Sequence, residues 1–237
     1  MFYFIYYASF IVVLPGILFA LICQLLVTIR FKKYSRVQSS SQWTANEMSD
    51  MLLEKQGIRS VEIRKVDGSL TDNYNPSTDV LSLSESVYSG TDIASLGVAA
   101  HECGHAVQKH TGSFLLTLRS VLVPVTNIGS RLSMPLIVLG LVLSGLGQIF
   151  YYVALAGVAC YGLCVVFQLV TLPTEFNASH RALRAIEESA LLLPEEQTAA
   201  KRVLTAAALT YVAALSVTIM QFLRLLLIVT GGNRRRD

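Results

Sequence analysis

Two of the chain's four histidines stand in one pentapeptide, "HECGH", residues 101–105. On a helix, positions i and i+4 share a face, so His101 and His105 can direct both imidazoles at one cation. Glu102 then projects beside that cation. This is the H-E-x-x-H arrangement, in which two histidines hold zinc and the glutamate serves as general base on a zinc-activated water. A catalytic zinc takes three protein ligands and keeps one position for water, so a further His, Glu or Asp has to come from elsewhere in the chain. Glu175 is the best-placed candidate, with His180, Glu187 and Glu188 as rivals. Cys103 lies about 200° round the helix from His101, cannot face the same metal, and reads as a small packed residue.

The elements that carry these residues are set by composition. Of 237 residues, 53% are hydrophobic and 15% charged, and the mean hydropathy of +0.53 is too high for an ordinary soluble domain. Residues 1–29 carry no charge, and neither do Leu132–Thr174 or Val203–Leu223. The middle run is more than twice the ~20 residues that one spanning helix needs, and "SGLG" at 144–147 suits a tight turn between two spans. Four spans follow. If residues 132–174 cross twice, the chain returns to the side it left, which places Glu175 on the same membrane face as the histidines. Glu175 would open its helix among Phe176, Ala178, Ala182 and Leu183, whereas Glu187 and Glu188 sit toward the solvated end of "LPTEFNASHRALRAIEESALLLP", between Pro173 near its start and Pro194 at its end.

The first run reads as a retained anchor rather than a signal peptide, because it lacks a positive start and a small-residue cleavage site. Arg30, Lys32, Lys33 and Arg36 follow it directly, so the positive-inside rule puts the N-terminus outside and residue 30 onward in the cytoplasm. The tail "NRRRD" would then lie outside, against the same rule. A net charge of +3 gathered beside the membrane suits anionic lipid headgroups and not nucleic acid. Cys23, Cys160 and Cys164 stand in apolar segments, and no cysteine spacing resembles a disulfide framework or a cysteine-type zinc site.

Between the first two spans, "SSSQ" at 39–42 is a polar connector, and Thr44 with Glu47 forms a capping box for a helix that Gly57 can end. "VEIRKV" and "VLSLS" alternate like strands. With "VDGS" as a turn and "LTDNYNPSTD" as a polar loop, they suggest a small hairpin or meander. Thr91 or Asp92 can cap the following helix, which runs through the histidines. Neither this region nor the shorter one after the third span buries much alone, so both must share one core.

The segments "AAHECGHAVQ", "LRSVLVPVTNIGSRLS" and "FQLVTLPTEFNASHRAL", in that order, resemble the YugP-like family of membrane neutral zinc metallopeptidases over essentially the whole chain. The layout is also similar to the gluzincins of the HtpX and CAAX-protease group, in which an E-x-x-A-D helix follows two spans and its glutamate is the third ligand. The resemblance gives that role to Glu175 and puts Ser179 where the group has Asp. "LTDNYNP" resembles the family's L-T-D-H-Y-D-P segment, with Asn73 and Asn75 standing where His and Asp are expected. Tyr74 is then the remaining candidate for a substrate contact, with Asn73, Ser179 and His180 as further neighbours of the metal or substrate. In zincins the strand before the metal helix borders the cleft, and an extended substrate can pair with its edge.

The expectation is an α-helical integral membrane protein of about four transmembrane helices with a small α+β zincin-like catalytic part. Residues 1–29 form an anchor, 30–120 the catalytic region, 121–173 two transmembrane helices, 174–202 the third-ligand helix, and 203–237 a last transmembrane helix with a basic tail. It would bind one Zn2+ and hydrolyse peptide bonds of membrane or membrane-proximal proteins from the cytoplasmic face of a bacterial cell membrane, with the lipid bilayer and polypeptide substrates as its partners. The alternative is a non-catalytic zinc-binding membrane scaffold, which would have no use for Glu102 as a base. A transporter is disfavoured because the three uncharged runs hold no acidic or basic residue to mark a polar pathway.

Overall fold

The computed structural model describes residues 2–68 and 71–233. Its elements, in order, are α1 (Phe2–Tyr34), α2 (Ala45–Lys55), β1 (Glu62–Val66), β2 (Asn73–Asn75), β3 (Val80–Ser84), α3 (Glu85–Tyr88), α4 (Ile93–His110), α5 (Phe114–Val142), α6 (Gln148–Ser189) and α7 (Pro194–Asn233). The protein is mostly helical. Four helices are long and apolar enough to cross a membrane, over Phe10–Tyr34, Phe114–Leu146, Gln148–Ser189 and Pro194–Gly231.

The chain divides into two units, and the first contains Met1–Ile22, Leu118–Leu172 and Tyr211–Asp237. It is built from long helices whose glycines let backbones approach, as is usual where helices pack without water to drive them together. A Cβ on Gly140 would stand 2.4 Å from the Ala154 nitrogen, and one on Gly157 would stand 2.7 Å from the Ser133 carbonyl. Between α5 and α6 the chain turns through a 3-10 segment, Leu143–Leu146, and Gly147 at φ 153° takes a conformation open to glycine alone. Toward the end of α7, Arg224 lies 3.7 Å from the centre of the Phe10 ring, so a charge follows the uncharged stretch inside the same helix.

The second unit, Cys23–Thr117 with Pro173–Thr210, holds one hydrophobic core. Thr44 and Glu47 close a reciprocal capping box at the start of α2, and Gly57 follows its end at φ 73°. Met48, Leu52 and Leu53 of α2 are buried against Leu81 and Leu83 of β3 and Ile93, Leu96 and Ala100 of α4. Ala182, Ile186, Ala200 and Val203 complete that core from the distant second segment. Each fully buried Leu or Ile there contributes ~1.5–3 kcal/mol.

The sheet differs from a hairpin or meander of two strands. Its order is β1-β3-β2, with β1 parallel to β3 and β2 antiparallel to it. A parallel pair needs a crossover of about a dozen residues, and residues 67–79 supply it. Part of the expected loop becomes β2, an edge strand, and Asp79 at φ 57° turns it back into β3. In the expected "VDGS" turn, Gly68 has a φ of 105°, while Ser69 lies outside the described residues. So do the last four residues of the "NRRRD" tail.

Two prolines also act differently from their expected roles. Pro173 lies inside α6, so a single helix carries both an apolar span and Glu175, across the expected boundary at 173–174. Proline forfeits one helical hydrogen bond and kinks its helix locally, which a helix of 42 residues absorbs. Pro194 begins α7 and does not end α6, in keeping with its missing N–H being an orphan at that position. Helix α7 likewise runs through the expected boundary at 202–203 without interruption.

Candidate metal centre

Helix α4 begins at Asp92, whose carboxylate accepts from the Ser95 backbone N–H at 3.0 Å and from the Ser95 hydroxyl at 2.6 Å. Its inner face is lined by small residues, Ala99, Ala100, Gly104 and Ala106, all buried. At Gly104 the backbones of α4 and α6 meet, since a Cβ there would stand 2.4 Å from the Ala178 carbonyl oxygen. This close crossing brings the histidine face of α4 onto the turn of α6 that holds Glu175.

The Glu175 carboxylate oxygen Oε2 lies 3.1 Å from His101 Nε2 and 3.4 Å from His105 Nε2. One ligand atom from each of the three residues falls within 4.8 Å of the others. Tetrahedral zinc, with bonds of 2.0–2.1 Å, sets neighbouring ligand atoms about 3.3 Å apart, so this donor set fits the ion. The two rings meet edge to face with centroids 4.9 Å apart, and Glu175 is 1% exposed. A buried carboxylate between two imidazoles is costly unless its charge is matched, and a divalent cation matches it.

The far ring nitrogens are also held. Ser179 Oγ lies 3.1 Å from His101 Nδ1. His105 Nδ1 meets Gln108 Oε1 at 2.9 Å, and a chain of hydrogen bonds settles the direction. Arg181 Nε, which can only donate, bonds Asn177 Oδ1 at 2.9 Å. Gln108 Nε2 donates to that same oxygen at 2.9 Å and to the Thr174 carbonyl at 2.8 Å. Gln108 Oε1 is thereby left as an acceptor, so His105 Nδ1 carries a proton and Nε2 is the nitrogen that faces Glu175. Burial opposes a charge on His105, but Glu175, Glu102 and Gln108 outweigh it and raise its pKa above the ordinary value.

Glu102 stands apart from this cluster. Its Oε2 accepts the Tyr74 backbone N–H at 2.9 Å, across from β2. Burial pushes its carboxyl above the usual carboxylate range against the lowering pull of both histidines. A carboxyl beside a metal site and outside its ligand set is placed to accept and return a proton.

The other sequence candidates fall in different places. The Tyr74 side chain is buried, with its hydroxyl donating to Asp79 Oδ1 at 2.5 Å, so only its backbone reaches the site. Asn73 is exposed and donates to the Thr71 carbonyl at 2.8 Å. His180 is outside the ligand cluster and lines a cavity of about 410 Å³ with Arg181, Arg184 and Glu188. Glu187 and Glu188 are exposed on α6. Cys103 is buried against the Ser49 carbonyl, and burial pushes its thiol up to about 12. Gln108, Asn177 and Arg181 support the site without belonging to any metal-binding motif in the sequence. The available signal was spacing, since Gln108 stands three residues after His105 on the same helix face.

A two-histidine, one-glutamate cluster beside a second glutamate that stands outside it, in a chain with four membrane-length helices, defines a membrane-helix protein with a candidate catalytic metal centre. The chain belongs to a zinc metallopeptidase family: its residues 9–230 match the family described as "Putative neutral zinc metallopeptidase". It is 39% identical over 209 residues, 88% of this chain and 91% of the relative, to the Bacillus subtilis protein named "Putative membrane protease YugP". No solved structure matches the chain.

Proposed function

We propose that the chain is a zinc-dependent metalloendopeptidase of the bacterial cell membrane that hydrolyses membrane or membrane-proximal proteins, with a zincin-like catalytic part on the cytoplasmic face. The observation that carries this reading is the pairing of three converging ligand atoms with a glutamate held next to them but outside the cluster. His101, His105 and Glu175 would hold one zinc ion. When bound, zinc acidifies water and polarises a carbonyl. Glu102 takes the proton from the attacking water and hands it to the leaving amine, while the Tyr74 N–H orients its carboxylate. Gln108 and Ser179 fix the two imidazole rings. Strand β2 stands at the edge of the sheet beside Glu102, so an extended peptide lying along that edge would pass the carboxylate.

The basic residues that follow the first apolar run support the cytoplasmic placement. A scaffold with a purely structural zinc is less well supported, because such sites close with four protein ligands and only three gather among the described residues. The test is metal analysis with proteome-wide cleavage mapping of wild type against Glu102→Gln. The variant should keep its zinc and lose at least ~100-fold in turnover. Equal cleavage by both proteins would remove Glu102 as the base, and loss of zinc would make it a ligand or a support for one.

A further inference from the structure

Helices α1 and α7 approach each other where each changes from charged to uncharged sequence. Arg30 is the first charged residue of α1, and Lys201 and Arg202 are the last before the uncharged stretch Val203–Leu223 of α7. Between the two helices lies a groove of about 400 Å³ with Leu26, Ala206 and Leu209 along its apolar side and Arg30, Lys201 and Arg202 at its rim. None of the three cations is ion-paired among the described residues. Arg202 spends one donor, Nη1, on the Tyr34 hydroxyl at 3.2 Å, which ties α7 to α1 beside the groove. Lys201 and Arg202 are exposed, and Leu26 is 38% exposed, so the groove is open from the side.

Three clustered cations call for an anion, and the adjoining apolar wall calls for a chain attached to it. The geometry points to a binding site for one anionic phospholipid, its phosphate between Arg30, Lys201 and Arg202 and the first part of an acyl chain along Leu26, Ala206 and Leu209. Basic pockets between membrane helices at the cytoplasmic surface take anionic headgroups for this reason. A zwitterionic lipid carries its own cation into the rim and loses most of the advantage. The bound lipid joins α1 to the first turns of α7, the same turns whose Ala200 and Val203 are buried in the core of the site-bearing unit.

The test uses the full chain in detergent micelles, incubated with equal amounts of phosphatidylglycerol and phosphatidylcholine and read by native mass spectrometry. Wild type should retain one phosphatidylglycerol in preference to phosphatidylcholine. Replacing Arg30, Lys201 and Arg202 together by Gln should cut that retention at least ~10-fold, since each cation near a lipid surface is worth about 1 kcal/mol. Replacing Lys32, Lys33 and Arg36 by Gln removes three charges just beyond Arg30 but outside the groove, and should leave it unchanged. Leu26→Trp fills the apolar side while keeping every cation, so it should also reduce retention in a chain whose melting temperature is unaltered. Equal losses from both charge variants would show general surface attraction and overturn the site. So would unaltered retention in both the groove-charge variant and Leu26→Trp, and so would displacement of the lipid by millimolar inorganic phosphate, which would make the groove a site for the free anion.

Discussion

Glu175 faces almost no solvent and touches two imidazoles, so its usefulness depends on the direction in which those rings point. Gln108 sets that direction for His105 through an amide whose own orientation is fixed by Thr174 and Asn177. Gln108→Leu should therefore weaken zinc binding by roughly 10- to 100-fold, the usual cost of losing a partner to a metal-binding histidine. Competition with a chromophoric chelator measures this directly. Gln108→Met, which keeps the length of the side chain but no acceptor, should weaken zinc binding as much, and near-wild-type affinity in the Met variant would reduce Gln108 to a packing residue. His101, Glu102 and His105 were legible in the sequence because their spacing is local. Gln108, Asn177 and Arg181 were not, because their partnership joins residues 66 and 69 positions apart and nothing in either segment names the other.

The crossing of α4 and α6 at Gly104 is the element that assembles the centre. Gly104→Ala puts a methyl group against a backbone carbonyl, which no side-chain rotation relieves, so the helices must separate. The variant should lose zinc affinity and thermal stability together, with all three ligands intact. Unaltered zinc affinity would show that the approach is not needed. The turn between β2 and β3 carries a charge that can be tested through pH. Burial alone would raise the Asp79 carboxyl, but hydrogen bonds from Ser60, Tyr74 and His110 outweigh it and hold its pKa below the ordinary carboxylate value. A depressed folded-state value gives stability that is fully present above the unfolded pKa of about 3.9 and is lost as pH falls through the folded one. Asp79→Asn tolerates the same left-handed backbone and should melt below wild type at pH 7, with the gap closing as the pH drops below about 4. A gap independent of pH would assign the loss to something other than the charge. The direction of β1 against β3 was illegible for a related reason: alternation reports which face a side chain takes, and says nothing of which way the neighbouring strand runs.

At the scale of the whole molecule, the apolar runs were readable because hydropathy accumulates over tens of residues, and the glycine turn at 144–147 was readable because so few residues suit it. The ends of the helices were not. Hydropathy stops where charges begin, while the backbone of α6 continues from its apolar run through Pro173 to Ser189. Ser40 accepts this larger arrangement into one contact, its backbone N–H and hydroxyl both donating to the Glu196 carboxylate at 2.7 and 3.0 Å. Single cysteines placed at Gln42 and Glu195 in a cysteine-free background should accordingly react with an impermeant maleimide from the same side of sealed vesicles. Reaction from opposite sides would break the shared site, since ligands cannot meet across a ~30 Å hydrocarbon core. The long reach of the centre also sets a clock. His101 leaves the ribosome 74 residues ahead of Glu175, an interval of roughly 4 to 15 s at ordinary rates of translation. Throughout it the nascent chain has Glu102 and two of the three clustered residues but not Glu175, so the His101–His105–Glu175 cluster cannot assemble until α5 and the first part of α6 have been made. Under the proposed function, order of synthesis by itself keeps every unfinished copy inert.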